Sequence, residues 1–334
     1  MSSSIHPLLS ADRPYFKLIC GANFTDYAQL AYLSEVYALA GARLIDVAAT
    51  PEAIRSAREG IRAARERAAR LPGPWRLDDE RYPVVMTSVT ASDDPHCRIA
   101  VKTPERCTWA CPFCLEACPH EAIDLDLAIL DDRCVGCNLC VPACPHDALA
   151  MEYRPFAPSL DALWQEGARA LELHTGGGDR SELLAWKEPC QEWVKRGGLF
   201  ALSVNSEQLE LPEALTLAHE VIGWFPGTRI ILQADGRPIS GAKGKASTES
   251  ALRFAQALID AKIPAAVQAA GGANDWTGPL AREARIPLAG VGMGSFARSI
   301  MKAKIQPPPS DEAVIEDVER ARRLVSTVDP APQT

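Results

Sequence analysis

AGARLIDVA (residues 40–48) ends one helical pattern and opens one strand within a few residues. The junction recurs as EGARALELH (166–174), DAKIPAAVQ (260–268) and EARIPLAGV (283–291). In each, Gly, Ala or Pro breaks the helix and an apolar strand follows almost at once. Outward from these junctions, short apolar runs rich in β-branched residues mark strands at 16–21, 44–48, 84–89, 170–174, 199–204, 229–233, 265–268 and 288–291. Helical patterns fall between them at 27–40, 51–70, 160–167, 181–196, 212–224, 248–262 and 277–284, with 296–303 after the last strand. Apolar strands alternating with helices imply a parallel sheet covered by helices. Eight such units predict an α/β TIM-like (β/α)8 barrel, with a doubly wound open sheet as the other arrangement.

The third unit is interrupted. Residues 91–158 separate its strand from its helix and hold nine of the chain's 11 cysteines, eight of them between Cys107 and Cys144. The expected organisation is residues 1–90 as the first part of the barrel, 91–158 as an insert, 159–305 as the remainder, and 306–334 as a C-terminal helix and disordered tail. The helix is expected at 311–324, capped by Ser310 or Asp311. In a barrel, the connection after a strand lies on the C-terminal face, so the insert is expected beside the mouth.

The first cysteine run is Cys107-x3-Cys111-x2-Cys114-x3-Cys118-Pro119. The second is Cys134-x2-Cys137-x2-Cys140-x3-Cys144-Pro145. The second matches the bacterial two-cluster ferredoxin pattern, and the first carries one extra residue after Cys107. Three thiolates on short gaps can curl around one iron–sulfur cube, while the cysteine before proline reaches the other cube. The expected sets are therefore Cys107, Cys111, Cys114 and Cys144 for one [4Fe–4S] cluster, and Cys134, Cys137, Cys140 and Cys118 for a second. Gly136 suits backbone wrapped closely round inorganic sulfide. Two zinc sites fit less well, because zinc sites pair two close ligands with two distant ones. His120 and His146 follow each Cys-Pro in the same register and read as surface turn residues, the ligand count being complete.

Composition sets limits. Apolar residues make up 47% and charged residues 23%, ordinary for a globular protein, and the net charge of −8 argues against nonspecific nucleic-acid binding. No apolar run is long enough to span a bilayer, and the first ten residues lack the charged and apolar segments of a leader. Clustered rather than dispersed cysteines point to a reducing, cytoplasmic setting.

KLICGANF (17–24), LAGARLIDVAA (39–49), DDPH (93–96), the two-run insert and SGAKGK (240–245) together resemble the LdpA family of cyanobacterial iron–sulfur proteins. The resemblance covers most of the chain. It implies a redox-sensing protein that conveys light-dependent electron status to the circadian clock, with clock or photosynthetic electron-transfer proteins as partners. It supplies the eight cysteines and no catalytic residue.

The barrel raises a second possibility, an oxidoreductase fed by the clusters. Gly271, Gly272, Gly292 and Gly294 follow the last two strands, where barrels often bind phosphate, and they are candidates for FMN or another phosphorylated ligand. The loop 235–248 carries Arg237, Lys243 and Lys245 and could form an anion-binding lid, but its spacing is not that of a P-loop. Asp46, His174, Asn205 and Asp235, at or just beyond strand ends, are candidate acid–base groups. Cys20 reads as a buried thiol, Cys97 as a spare ligand, and Cys190 is given no role. A third reading makes the barrel a scaffold for simple electron transfer. No chromophore motif is present, so redox state is the expected input.

Overall fold

The structure, a computed structural model, describes residues 7–10, 13–21, 26–73, 75, 77, 82–91, 98–130, 133–134, 136–153, 159–176, 180–236, 244–301 and 309–330. Eight parallel strands close into a barrel. They are β1 (Tyr15–Ile19), β2 (Leu44–Ala48), β3 (Val84–Thr90), β6 (Ala170–His174), β7 (Leu199–Asn205), β8 (Ile231–Asp235), β9 (Ala266–Ala270) and β10 (Gly290–Met293). Closure is made by β1 on β10, with Tyr15 opposite Gly290 and Lys17 opposite Gly292. The open doubly wound sheet is thereby excluded. The two remaining strands, β4 (Arg98–Lys102) and β5 (Leu149–Tyr153), form a separate antiparallel pair inside the insert.

Thirteen α-helices are described: α1 (Pro7–Ser10), α2 (Tyr27–Ala40), α3 (Pro51–Arg70), α4 (Phe113–Glu116), α5 (Cys140–Ala143), α6 (Leu160–Gln165), α7 (Arg180–Ala185), α8 (Lys187–Lys195), α9 (Leu211–Ile222), α10 (Lys245–Asp260), α11 (Thr277–Glu283), α12 (Ser295–Ser299) and α13 (Asp311–Val328). Local chemistry sets their limits. The Asp26 carboxylate accepts from the Gln29 amide to start α2, and Gly41 ends it at φ 100°, donating to Tyr37 and Ala38 carbonyls. Thr50 caps α3, with Pro51 in its first turn and Arg67 and Arg70 in its last.

Three expectations are corrected. The single helix over 181–196 is two helices, α7 and α8, because Pro189 in the first turn of α8 has no N–H to continue the ladder. The sixth and eighth barrel strands each begin two residues later than expected, at Ile231 and Gly290. Arg229 instead reaches back to the Leu9 carbonyl, and Leu288 turns on the Ile286 carbonyl after Pro287. The short helix α1 has no expected counterpart.

The main core lies between the barrel and its helices, where Leu18, Ile45, Val47, Leu171, Leu202, Leu232 and Val267 face α2, α3, α9, α10 and α13. At the N-terminal end of the barrel, Leu8 and Leu9 of α1 pack on Leu44, Met86, Ala170, Leu199, Ile231 and Ala266, closing the bottom with apolar surface. The insert has its own small core of Ile99, Ala100, Ala122, Ile123, Leu127 and Leu149 packed with Cys114, Cys134 and Cys140.

Candidate iron–sulfur centre and the polar barrel interior

The ladder from Arg98 opposite Tyr153 to Lys102 opposite Leu149 ties the two ends of the insert together, and both cysteine runs lie between them. The runs fold as duplicates. Leu115 and Val141 carbonyls accept from the Cys118 and Cys144 amides at 3.2 and 3.1 Å. Glu121 and Asp147 then take φ 50° and 48°, and the chain turns so that the Ala122 and Ala148 amides each donate to the preceding Cys118 or Cys144 sulfur at 3.4 Å. The two runs also turn alike after their first cysteine: Trp109 at φ 58° corresponds to Gly136 at φ 70°. The left-handed conformation is free for Gly136 and costs Trp109 about 1 kcal/mol. In exchange the Trp109 amide donates to the Cys107 sulfur at 3.4 Å. The extra residue of the first run, Ala110, therefore follows this turn.

The eight thiols separate into two groups. Cys107, Cys111, Cys114 and Cys144 line one small cavity, with Lys102 and His146 on its wall. Cys118, Cys134, Cys137 and Cys140 line the other, with His120 and Asn138. Each ring takes three thiols from one run and the fourth from the other. Among the described residues no three Cys, His, Asp or Glu side chains gather tightly enough for a single metal ion. All ten described cysteines are free of disulfides.

The donor set fits an iron–sulfur group. Thiols are soft ligands, and amide donors on Cys107, Cys118, Cys134 and Cys144 sulfurs favour thiolates. Burial pushes the Cys114 and Cys137 thiols up, and burial with the neighbouring Cys137 and Cys134 pushes Cys140 up to about 11. Charge from a bound metal is thus needed to hold these groups as thiolates at neutral pH. His120 is not the surface turn residue expected. It is half-buried with Nε2 shut away from solvent, whereas His146 is exposed. Burial and then the Arg298 charge hold the His120 pKa below the usual histidine range.

Inside the barrel lies a charged network. The fully buried Lys17 ammonium meets Glu172 Oε2 at 2.6 Å, Asp46 Oδ2 at 3.0 Å and Gln233 Oε1 at 3.0 Å. Glu172 Oε1 accepts from Gln233 Nε2 at 2.9 Å and lies 3.0 Å from His174 Nε2. Ser88 donates to Asp46 at 2.7 Å, Gln268 to Gln233, and Ser203 to Asp235. Burial opposes the Glu172 carboxylate, but Lys17 and His174 outweigh it and its pKa falls to about 2. Burial also opposes the Lys17 ammonium, and Asp46 and Glu172 hold its pKa above the ordinary value. Asp46 and Asp235 are pushed up by burial.

Of the acid–base candidates, His174, Asn205 and Asp235 end β6, β7 and β8, while Asp46 is mid-strand in β2 rather than at its end. Lys17, Glu172, Gln233 and Gln268 were not among the candidates. Their signal is one polar residue centred in an apolar strand, as in YFKLI, ALELH, ILQAD and AVQAA. Gly271 and Gly272 have φ 65° and 83°, and a Cβ on Gly271 would meet the Gly236 amide at 2.7 Å, so loop packing alone demands glycine there. Gly292 faces Ile19 and Gln268, and Gly294 precedes α12 beside Arg298. Cys20 and Cys190 are buried thiols whose pKa burial pushes up to about 12. Cys97, Arg237, Lys243 and the final residues 331–334 lie outside the described residues.

Among the described residues no helix is long and apolar enough to cross a membrane. In fold the chain is similar to the YdjI aldolase from Escherichia coli (9% identity, 96% of this chain and 94% of that one, TM-score 0.46). It is also similar to tryptophan synthase from M. tuberculosis (10% identity, 99% and 100% covered, TM-score 0.48). Residues 104–154 match the LdpA Fe-S cluster-binding domain, and residues 162–331 match the Light dependent period A C-terminal domain. Light dependent period A from Synechococcus elongatus is 34% identical over 315 residues, 90% of this chain and 85% of that protein. Matches that together run through insert and barrel place the chain in the Light dependent period A family, with the family's iron–sulfur cluster-binding domain in the connection after β3.

Proposed function

We propose that this chain is a cytoplasmic redox sensor carrying two [4Fe–4S] clusters, one held by Cys107, Cys111, Cys114 and Cys144, the other by Cys134, Cys137, Cys140 and Cys118. The observation that carries this reading is the crossed partition of eight thiols into two rings of four. Two-cluster ferredoxins exchange their fourth ligands in this way. A single ion such as zinc needs four ligands within about 2.3 Å of one point, a tighter gathering than any found among the described residues. Gain or loss of an electron, or of a cluster, alters the charge and shape of the insert, and a partner protein reads that change. Family membership points to clock or photosynthetic electron-transfer proteins as partners.

The test is iron, sulfide and flavin analysis with electron paramagnetic resonance on protein purified without oxygen. About eight irons per chain are expected. Cys137→Ser is expected to lose the iron of the second cluster together with redox-dependent partner binding. Partner binding that ignores iron content would remove the sensor role and leave a scaffold for electron transfer.

A second reading, an oxidoreductase with a ligand in the barrel, draws on the polar network of Lys17, Asp46, Glu172, His174 and Asp235. If FMN or another phosphorylated ligand is bound there, Gly271, Gly272, Gly292 and Gly294 would contact its phosphate. Stoichiometric flavin in the same analysis would favour it.

A further inference from the structure

We propose that His120 donates a hydrogen bond from Nε2 to a sulfur atom in the second cavity, and so sets the reduction potential of that cluster apart from its duplicate's. The inference rests on the two-cluster reading above.

The duplication makes the comparison internal. His120 and His146 occupy the same position after Cys-Pro, and each lines the cavity of the cysteine it follows: His120 with Cys118, His146 with Cys144. There the likeness ends. His146 is exposed to solvent, whereas His120 Nε2 is buried and has no hydrogen-bond partner among the described residues. A buried ring nitrogen without a partner is costly, and native proteins rarely leave one so. Arg298 of α12 acts on this ring through its charge and makes no hydrogen bond to Nε2. Ala100, Ala122, Ile123, Ile129 and Met151 make the rest of the wall largely apolar. Among the described residues lining this cavity, the acceptors are the Asn138 amide oxygen, which does not bond His120 Nε2, and the four thiolate sulfurs with the sulfides they would enclose. A hydrogen bond to sulfur disperses the charge added on reduction and raises the potential. Lys102, on the wall of the first cavity, places a cation rather than a buried ring beside the other cluster.

The test compares the full chain, purified without oxygen, as wild type, His120→Phe, His120→Gln and His146→Phe. Reductive titration is followed by electron paramagnetic resonance. In His120→Phe one of two reduction steps is expected to move to more negative potential, with the other fixed and the iron content unchanged. His120→Gln, whose amide can still donate, is expected to stay nearer wild type, and His146→Phe is expected to move neither step. Pulsed resonance on reduced wild-type protein labelled with 15N-histidine is expected to show a nitrogen coupling that is lost in His120→Gln. The coupling decides the matter even if His120→Phe fails to fold. A full complement of iron and two reduction steps, with no selective shift or no coupling, overturns the role of His120 alone. Wild-type protein without iron or without a reducible signal overturns the two-cluster reading as well.

Discussion

A lysine enclosed on every side can stay charged only if its three N–H donors meet acceptors, and Lys17 has Glu172, Asp46 and Gln233. Removing it leaves two carboxylates facing each other in the barrel. Lys17→Met is therefore expected to lose about 3–5 kcal/mol of stability, the penalty for breaking one side of a buried pair. Lys17→Met combined with Asp46→Leu and Glu172→Met is expected to recover much of it, since packed apolar groups can replace buried ions. Denaturant midpoints read both, and a single variant within about 0.5 kcal/mol of wild type, the scale of a neutral surface change, would refute the buried pair. The network also predicts a pH dependence. The Glu172 pKa falls from 4.5 to about 2, so its stabilisation is present above about pH 4.5 and is lost as pH drops toward 2. Asp46 and Asp235, pushed up, act in the opposite sense. Glu172→Gln should therefore flatten the loss of stability below pH 4.5, read from exchange of barrel-strand amides so that acid loss of iron does not contribute.

Helices α2 and α3 pack closely, and Gly60 sets how closely. A Cβ there would lie 2.0 Å from the Ala31 carbonyl oxygen and 2.8 Å from Ser34 Cβ. Helix propensity favours alanine at a helix interior by about 1 kcal/mol. Contact with a fixed backbone overrides that gain, so Gly60→Ala is expected to destabilise by about 1–3 kcal/mol, as overpacking does. A rise in melting temperature would mean that α2 and α3 can separate at little cost. The element scale is also where the sequence was most legible. Every barrel strand and its helical partner announced itself through the alternation of apolar runs with helical patterns, because strands covered on both faces are apolar throughout. That same habit hid the interior: a lone Lys17 or Glu172 in an apolar strand reads as noise until closure turns its side chain onto the barrel axis. The cysteine runs were legible because spacing alone fixes which thiols can curl together. The burial of His120 was not, since it depends on how the insert folds around the second cavity, where Ala100, Ile129 and Met151 come from other parts of the insert. The junctions gave no sign of α1, whose role is to plug the bottom with Leu8 and Leu9.

The whole molecule joins two bodies of unequal self-sufficiency. The barrel closes without help from the insert: Thr87 of β3 pairs with Leu171 of β6 across the interruption, and the core between strands and helices is extensive. The insert has one two-stranded ladder and a core in which Cys114, Cys134 and Cys140 take the place of larger apolar groups. A two-stranded pair with so small a core is marginal by itself. When ligands are shared between two runs, as the rings of four imply, metal binding and folding become one event. Removing iron with a chelator under reducing conditions is therefore expected to abolish amide protection between Arg98 and Tyr153 while β1, β6, β7, β8 and β9 keep theirs. Hydrogen exchange followed by mass spectrometry reads both regions in one experiment. Barrel protection that survives places the signal of a redox sensor on the surface of the insert, where a partner must bind to read it. Barrel strands that open together with the insert would mean that the two bodies are not independent. They would carry the signal through Arg298, which holds the Ile19 carbonyl at 2.8 Å, into the charges around Lys17.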